Sequence, residues 1–216
     1  MMKVIEKKTL HEEIANNLRE LIMAGELQKG DKIKEDELCS SMGISKTPLR
    51  EALRVLSVEG LIRLVPNRGS FVSTPTFEEI REMFGVMSLL EGVCAREAAE
   101  KMGEKDLAIL EKLHKKLEEN YQRKAQREYI RINNQFHSFV QELAGNRTLN
   151  QIVNGLRKKI LLYRYQSLNL PERFAQSIQE HRDLLEAFRK KDPKKAETLM
   201  RRHLKKQCEA LEKLAS

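Results

Sequence analysis

The sequence predicts a mainly α chain in two parts: an N-terminal winged helix-turn-helix with a small β-hairpin wing over residues 1–75, and a C-terminal all-α helical bundle over residues 76–216. Three observations predict it. Apolar residues recur at helical spacing along most of the chain, and the β-prone runs are confined to the two sides of one turn sequence, Pro66-Asn67-Arg68-Gly69. A chain of 216 residues with 40% hydrophobic content can also furnish two modest cores.

In the first part, Leu10, Ile14, Leu18, Leu21 and Ile22 keep helical spacing up to Gly25, and Glu35 to Met42 forms a shorter periodic stretch ending at Gly43. A tight glycine turn then leads into a third helix. There Leu49, Ala52, Leu53 and Leu56 fall at i, i+3, i+4 and i+7 and define a buried stripe, while Lys46, Arg50 and Arg54 fall four apart on the other side. Ser45 or Thr47 supplies a cap for the first N–H groups. Pro48 is tolerated in a first turn, where an N–H has no intrahelical partner to lose. With its positive end and basic row turned outward, this helix reads as one that meets DNA phosphates. Leu61–Val65 and Ser70–Ser73 flank the turn formers, which makes a hairpin wing with Arg68 at its tip. Such an arrangement puts one helix in the major groove and a basic hairpin near the backbone or minor groove.

Ser73-Thr74-Pro75-Thr76 breaks the wing, and Thr76 followed by Glu79 is a capping box that opens a new helix. From there only helical periodicity is visible. Its runs are Ile80, Phe84, Met87, Leu90 and Cys94; Leu107, Leu110, Leu113 and Leu117; Ile132, Phe136, Phe139 and Leu143; and Ile152, Leu156 and Ile160. Gly103, Ala144-Gly145-Asn146, Asn169-Leu170-Pro171 and Asp192-Pro193 punctuate them, giving about six helices and no convincing strand. Asn133 and His137, four apart, project from one helix face, and His181 and His203 lie on the two following long helices. Three imidazoles and an oxygen donor could converge in the bundle core, where neutral imidazole ligates divalent transition metals and leaves positions for water or a carboxylate. Hydrogen-bonded or surface histidines are the plain alternative.

The strings LRELIMAGELQKGDKI and MGISKTPLREALRVLSVEGLIRLVPNRGSFV resemble the GntR family of bacterial transcription regulators. The joint, ordered occurrence of G-x-L-x-x-G, S-x-T-P-L-R-E-A-L and E-G-L carries the likeness. It implies DNA contacts at Ser45, Lys46, Thr47 and Arg50, and at the wing-tip residues Arg68 and Gly69. Lys46 stands where the family often has Arg, so the bidentate fork that reads guanine is missing there. Asp36 stands where some relatives place a DNA-contacting Arg, which removes that contact.

NNQFHSFVQELAGN and EHRDLLEAFRKKDPKKAETLMRRHL resemble the FCD ligand-binding domain of the FadR-like subgroup, over roughly Thr76 to the C-terminus. The resemblance implies a metal held by Asn133, His137, His181 and His203, with zinc the default and nickel or another divalent transition metal the alternative. It also implies a small organic acid effector whose carboxylate reaches the metal and an Arg of the domain's first helix. Met87 occupies that Arg position, which leaves Arg81 and Arg164 as substitutes. His11 and His114 fall outside the pattern and are expected at the surface. The implied protein is a homodimer, not an enzyme, that presents two heads to an inverted-repeat operator as a repressor relieved by ligand.

Two rival readings stay open at this level. A metal-dependent enzyme could use three His to activate water, but Glu180, adjacent to His181, diverges from it by about 100° on a helix. A sequence-tolerant nucleoid protein would bind through phosphates alone. Charge separates none of these by itself: the net +8 divides into 12 Lys and Arg against 11 Asp and Glu in residues 1–75, and 28 against 21 in residues 76–216. Between Ile44 and Val72, however, five bases face two acids, so the favourable charge is local to the third helix and wing. Cys39, Cys94 and Cys208, odd in number and without a CxxC, fit free thiols in a reducing cytoplasm. No run of about 18 apolar residues exists, so no membrane span is expected.

Overall fold

α1 (Leu10–Ala24) begins where the Thr9 N–H donates to Glu12 Oε2 at 2.9 Å, and it ends at Gly25. α2 (Glu35–Met42) ends at Gly43, whose φ of 64° lets the chain turn into α3 (Lys46–Val58) within two residues. Ser45 holds the position before α3 with extended backbone, but its side chain makes no capping bond, and Thr47 lies inside the helix. The side-chain cap expected there is not made. α3 buries Leu49, Ala52, Leu53 and Leu56 and packs on α1, where Ile14, Leu18 and Ile22 are equally enclosed. Each buried leucine contributes about 1.5–3 kcal/mol. Arg19 closes the outside of this pair, with Nε and Nη2 on Glu59 Oε2 at 3.1 and 2.8 Å.

The wing is β1 (Ile62–Val65) antiparallel to β2 (Gly69–Val72), in the register Ile62 to Val72 and Val65 to Gly69. At its tip the Arg68 N–H donates to the Val65 carbonyl at 3.0 Å, with Pro66 second in the turn and Asn67 third at a φ of 58°. Proline followed by a positive φ is the signature of a type II turn. The segment around Lys32 adds a short third edge: the Ile33 N–H donates to the Ser70 carbonyl at 2.8 Å, and the Val72 N–H donates to Asp31.

The computed structural model describes residues 9–73, 75–168 and 170–215, so the breaks expected at Thr74 and Asn169 lie outside the described residues. The chain divides into two compact units, Met1–Pro75 and Thr76–Ser216. In the second, α4 (Phe77–Lys101) starts from the expected capping box: the Thr76 N–H donates to Glu79 Oε2 at 2.7 Å, and the Glu79 N–H returns to Thr76 Oγ1 at 3.2 Å. There follow α5 (Glu104–Gln122), α6 (Gln126–Ala144), α7 (Arg147–Lys159), α8 (Leu161–Leu168), α9 (Pro171–Arg189) and α10 (Pro193–Ala215). Among the described residues these are seven helices rather than about six, because the chain breaks at Ile160 between α7 and α8, where no glycine or proline announces it. α7 also turns Leu149 and Val153 inward and leaves Ile152 half exposed, one position away from the expected stripe.

α4 packs most extensively on α10, and Gly92 is what lets them close up. A Cβ there would stand 2.6 Å from Arg201 Cγ. The main core gathers Ala95, Ala98, Leu110, Leu117, Phe136, Val140, Leu184 and Phe188 from α4, α5, α6 and α9. Phe174 meets Tyr121 and Tyr129 edge-on at 5.0 and 4.9 Å. No described helix is long and apolar enough to cross a membrane.

Leu53→Ala is expected to cost about 2–5 kcal/mol, the price of emptying a fully enclosed leucine site. Hydrogen exchange of the amides in α1 and α3 would show it as faster exchange, with the amides of α4–α10 unchanged.

Candidate functional site

α6 is apolar along its inner face except at Asn133, His137 and Gln141, which all lie on that face and are fully enclosed. His181 from α9 and His203 from α10 meet them there. The three imidazoles are buried completely, with ring centroids 5.4 Å apart for His137 and His181, 5.3 Å for His137 and His203, and 5.0 Å for His181 and His203. Their nearest ring nitrogens all lie within 4.8 Å of one another.

Two of the three rings are held from behind by a carboxylate. His137 Nδ1 lies 2.8 Å from Glu91 Oε2, and Glu91 in turn accepts from Arg157 Nε and Nη2, both at 2.7 Å. His203 Nδ1 lies 2.7 Å from Glu180 Oε2, which also accepts from Arg173 Nη2 at 2.7 Å. His181 Nε2 lies 2.6 Å from Asn133 Oδ1. His137 Nε2, His203 Nε2 and His181 Nδ1 are then left buried with no hydrogen-bond partner. Burial pushes His137 and His181 well below the usual histidine range and lowers His203 as well, so all three rings are neutral. Burial alone would raise Glu91, but Arg157 and then His137 hold it far below the usual carboxylate range. Burial likewise opposes ionisation of Glu180, and the bonds from His203 and Arg173 keep it low.

A neutral imidazole whose Nδ1–H is fixed by a carboxylate presents its other nitrogen as a lone pair, which is how metal-ligating histidines are commonly oriented. His137 and His203 are oriented in this way, and together with His181 they bring ring nitrogens within 4.8 Å of one another, a set that fits a divalent transition metal. Asn133, the fourth residue of the sequence set, is in place beside them, with its oxygen engaged by His181.

The other expected residues fall differently. Arg81 sits on the surface, paired with Glu78 one turn earlier, away from the cluster. Arg164 is buried and donates to Asn134 Oδ1 at 2.8 Å. Met87 is fully enclosed among Phe84, Ile160 and Leu204. His114 is no surface residue: it faces inward between Leu110 and Leu117 on α5, and only His11 stays part-exposed. Sequence reasoning missed the orienting pair Glu91 and Glu180. Glu180 does face away from the open nitrogens, yet it grips the back of His203. Glu91 carried a legible signal, since it falls four residues after Met87 on the inward stripe of α4. Burial, with Glu91 adding to it, pushes the Cys94 thiol up to about 12, which suits an inert packing residue.

On the first unit, Ser45, Lys46, Thr47, Arg50, Arg68 and Gly69 are all exposed. A cleft of about 450 Å³ brings Lys46 and Arg50 of α3 together with Arg68 and Gly69 of the wing. Acids from α2 reach into it: Lys46 Nζ lies 2.8 Å from Asp36 Oδ1, and Arg50 Nε donates to Glu35 Oε2 at 2.8 Å. The pairing lowers the Asp36 pKa and raises those of Lys46 and Arg50.

Residues 10–72 match the bacterial regulatory proteins of the gntR family, and residues 82–206 match the FCD domain. YdhC of Bacillus subtilis (strain 168), an uncharacterized HTH-type transcriptional regulator, is 27% identical over 197 residues, spanning 91% of this chain and 88% of the relative. The HTH-type transcriptional repressor RspR of Escherichia coli (strain K12) is 24% identical over 205 residues, 95% of this chain and 90% of its own. The solved structure of E. coli McbR/YncC shares the fold with a TM-score of 0.81 at 20% identity, covering 97% of this chain and 100% of that one.

Arg157→Met removes the main partner of a fully buried carboxylate and is expected to destabilise the bundle by about 3–5 kcal/mol. Arg182→Met, which breaks the half-exposed pair with Glu118, should cost about 1 kcal/mol or less. Urea denaturation of the two variants side by side would test the contrast.

Proposed function

Because this chain belongs to the gntR family of bacterial regulatory proteins and carries an FCD domain, we propose that it is a repressor whose grip on an inverted-repeat operator is set by a metal-assisted small organic acid site. Its family and relatives are transcription regulators, not enzymes. The observation that carries the proposal is the set of three neutral, fully buried imidazoles whose ring nitrogens lie within 4.8 Å of one another inside the FCD unit.

His137, His181 and His203 would hold the metal, with Asn133 as the oxygen donor beside them. When bound, a divalent transition metal, zinc by default and nickel otherwise, supplies a Lewis-acid position for a ligand carboxylate. Glu91 and Glu180 fix the tautomers of His137 and His203, and Phe136, edge-on to His181 at 4.7 Å, helps keep water from the cluster. Asn133 in place of an aspartate brings no negative charge, which weakens the site relative to one that has it.

At the head, Lys46, Arg50 and Arg68 provide the cationic contacts, and Ser45, Thr47 and Gly69 approach the DNA closely. The protein would act in the cytoplasm as a homodimer, whose two-fold axis matches an inverted repeat. A ligand shifts DNA affinity only by its different affinity for the competent and incompetent arrangements, so the C-terminal unit must have two.

Arg50→Ala is expected to abolish operator preference at fixed salt, read as equal competition by operator and random DNA; a preserved preference would remove α3 from base recognition. His181→Ala is expected to lower zinc content from about one ion per protomer to a small fraction after reconstitution, by elemental analysis. Full occupancy in that variant would take His181 out of the ligand set.

A further inference from the structure

The two cations at the outward start of α3 are held by acids of α2 in different ways. Arg50 Nε donates to Glu35 Oε2 at 2.8 Å, and among the described residues nothing else bonds that guanidinium. Glu35 therefore grips the fork at its base, and the four N–H groups on Nη1 and Nη2 stay available. The gripping carboxylate is itself well placed. It opens the first turn of α2, where the positive end of the helix favours an anion, and its side chain is only 20% exposed. Asp36, the next residue, is 84% exposed and lies 2.8 Å from Lys46 Nζ, a point charge on a flexible stem. Glu35 and Arg50 also line, with Gly69, both clefts between α3 and the wing, of about 450 and 490 Å³. The pair thus stands centrally on the face that meets DNA in the reading above.

An arginine on such a face has two competing uses. It can meet a phosphate, which carries no sequence information, or lay its two terminal nitrogens on guanine O6 and N7. Glu35 biases Arg50 toward the second use in two ways. The bond at Nε removes in advance rotamer freedom that base reading would otherwise have to remove, and the carboxylate repels a phosphate that approaches the same guanidinium. We propose that Glu35 is a positioning residue for DNA recognition, one that holds the Arg50 fork for a guanine edge and keeps it off the backbone. Asp36 offsets the charge of Lys46 without directing it, because an ammonium has no fork to aim. The inference rests on the reading of α3 as the base-recognition helix, and it gives α2 a part in sequence selectivity.

The test uses the full-length protein to enrich sequences from a library of randomised duplexes. Affinities for the enriched duplex and for a shuffled version of it are then compared by fluorescence anisotropy at one salt concentration. Glu35→Ala is expected to lower the ratio of the two affinities about tenfold or more, with the shuffled duplex bound as tightly as by the wild type or more so. Glu35→Gln, which keeps an oxygen for the Arg50 Nε–H, should recover most of the ratio. Asp36→Asn should tighten both duplexes alike and leave the ratio unchanged. Parallel weakening of both duplexes in Glu35→Ala assigns the carboxylate to the fold of the head and overturns the proposal. An unchanged ratio in that variant overturns it too, since Glu35 would then only offset charge. So does a loss of selectivity in Glu35→Gln or Asp36→Asn equal to that in Glu35→Ala, because general acidity would then account for it. If the wild type enriches no sequence at all, the operator reading fails and this inference fails with it.

Discussion

The C-terminal unit is organised around a carboxylate that has no access to water. Glu91 is ionised inside the bundle, and an unpaired charge there would cost several kcal/mol. Arg157 from α7 and His137 from α6 make it tolerable, which ties the first helix of the unit to two others through directional bonds that apolar contacts cannot supply. Glu180 repeats the arrangement with His203 and Arg173, joining α9 to α10. Two carboxylates thus fix two imidazoles from behind, and Asn133 Oδ1 lies against the third. What remains is a set of nitrogen lone pairs held in place before any ligand arrives, in a pocket whose dryness keeps the rings neutral. That pre-organisation is bought with buried polar groups, and it explains why a core otherwise made of alanine, leucine and phenylalanine accepts so many of them.

Much of this was legible in the sequence because helical burial leaves a periodic trace. The α3 stripe of Leu49, Ala52, Leu53 and Leu56, the wing around Pro66 and Asn67, and the capping box at Thr76 all follow from spacing and local chemistry. Less legible were features decided by contacts between distant segments. The break between α7 and α8 has no glycine or proline, and the short edge near Lys32 is too brief to show a period of two. His114 looked like a surface residue because a polar type outweighed its inward position on α5. The same bias hid the orienting shell. Charged residues are read as solvent-facing unless a partner is known; Glu91 finds Arg157 66 residues away and Glu180 finds His203 23 residues away, although Arg173 lies only seven residues before Glu180 on the same helix.

The first unit is held together by simpler means. α1 and α3 share an apolar seam, the wing closes against the segment around Lys32, and the outward face of α3 is left to exposed charge. Conformational stability and surface chemistry therefore reside on opposite sides of one helix, and residues on the exposed side can vary with little effect on folding.

On that exposed side, Asp36 and Glu35 lie against Lys46 and Arg50 before any nucleic acid is present. A phosphate that takes over either base must also leave a carboxylate behind, and that carboxylate gathers a cation from solution in its turn. The head carries its own counterions, covalently attached. Fewer free ions are released on binding than the count of its basic residues suggests, so its affinity falls less steeply with added salt than that of a head without those two acids.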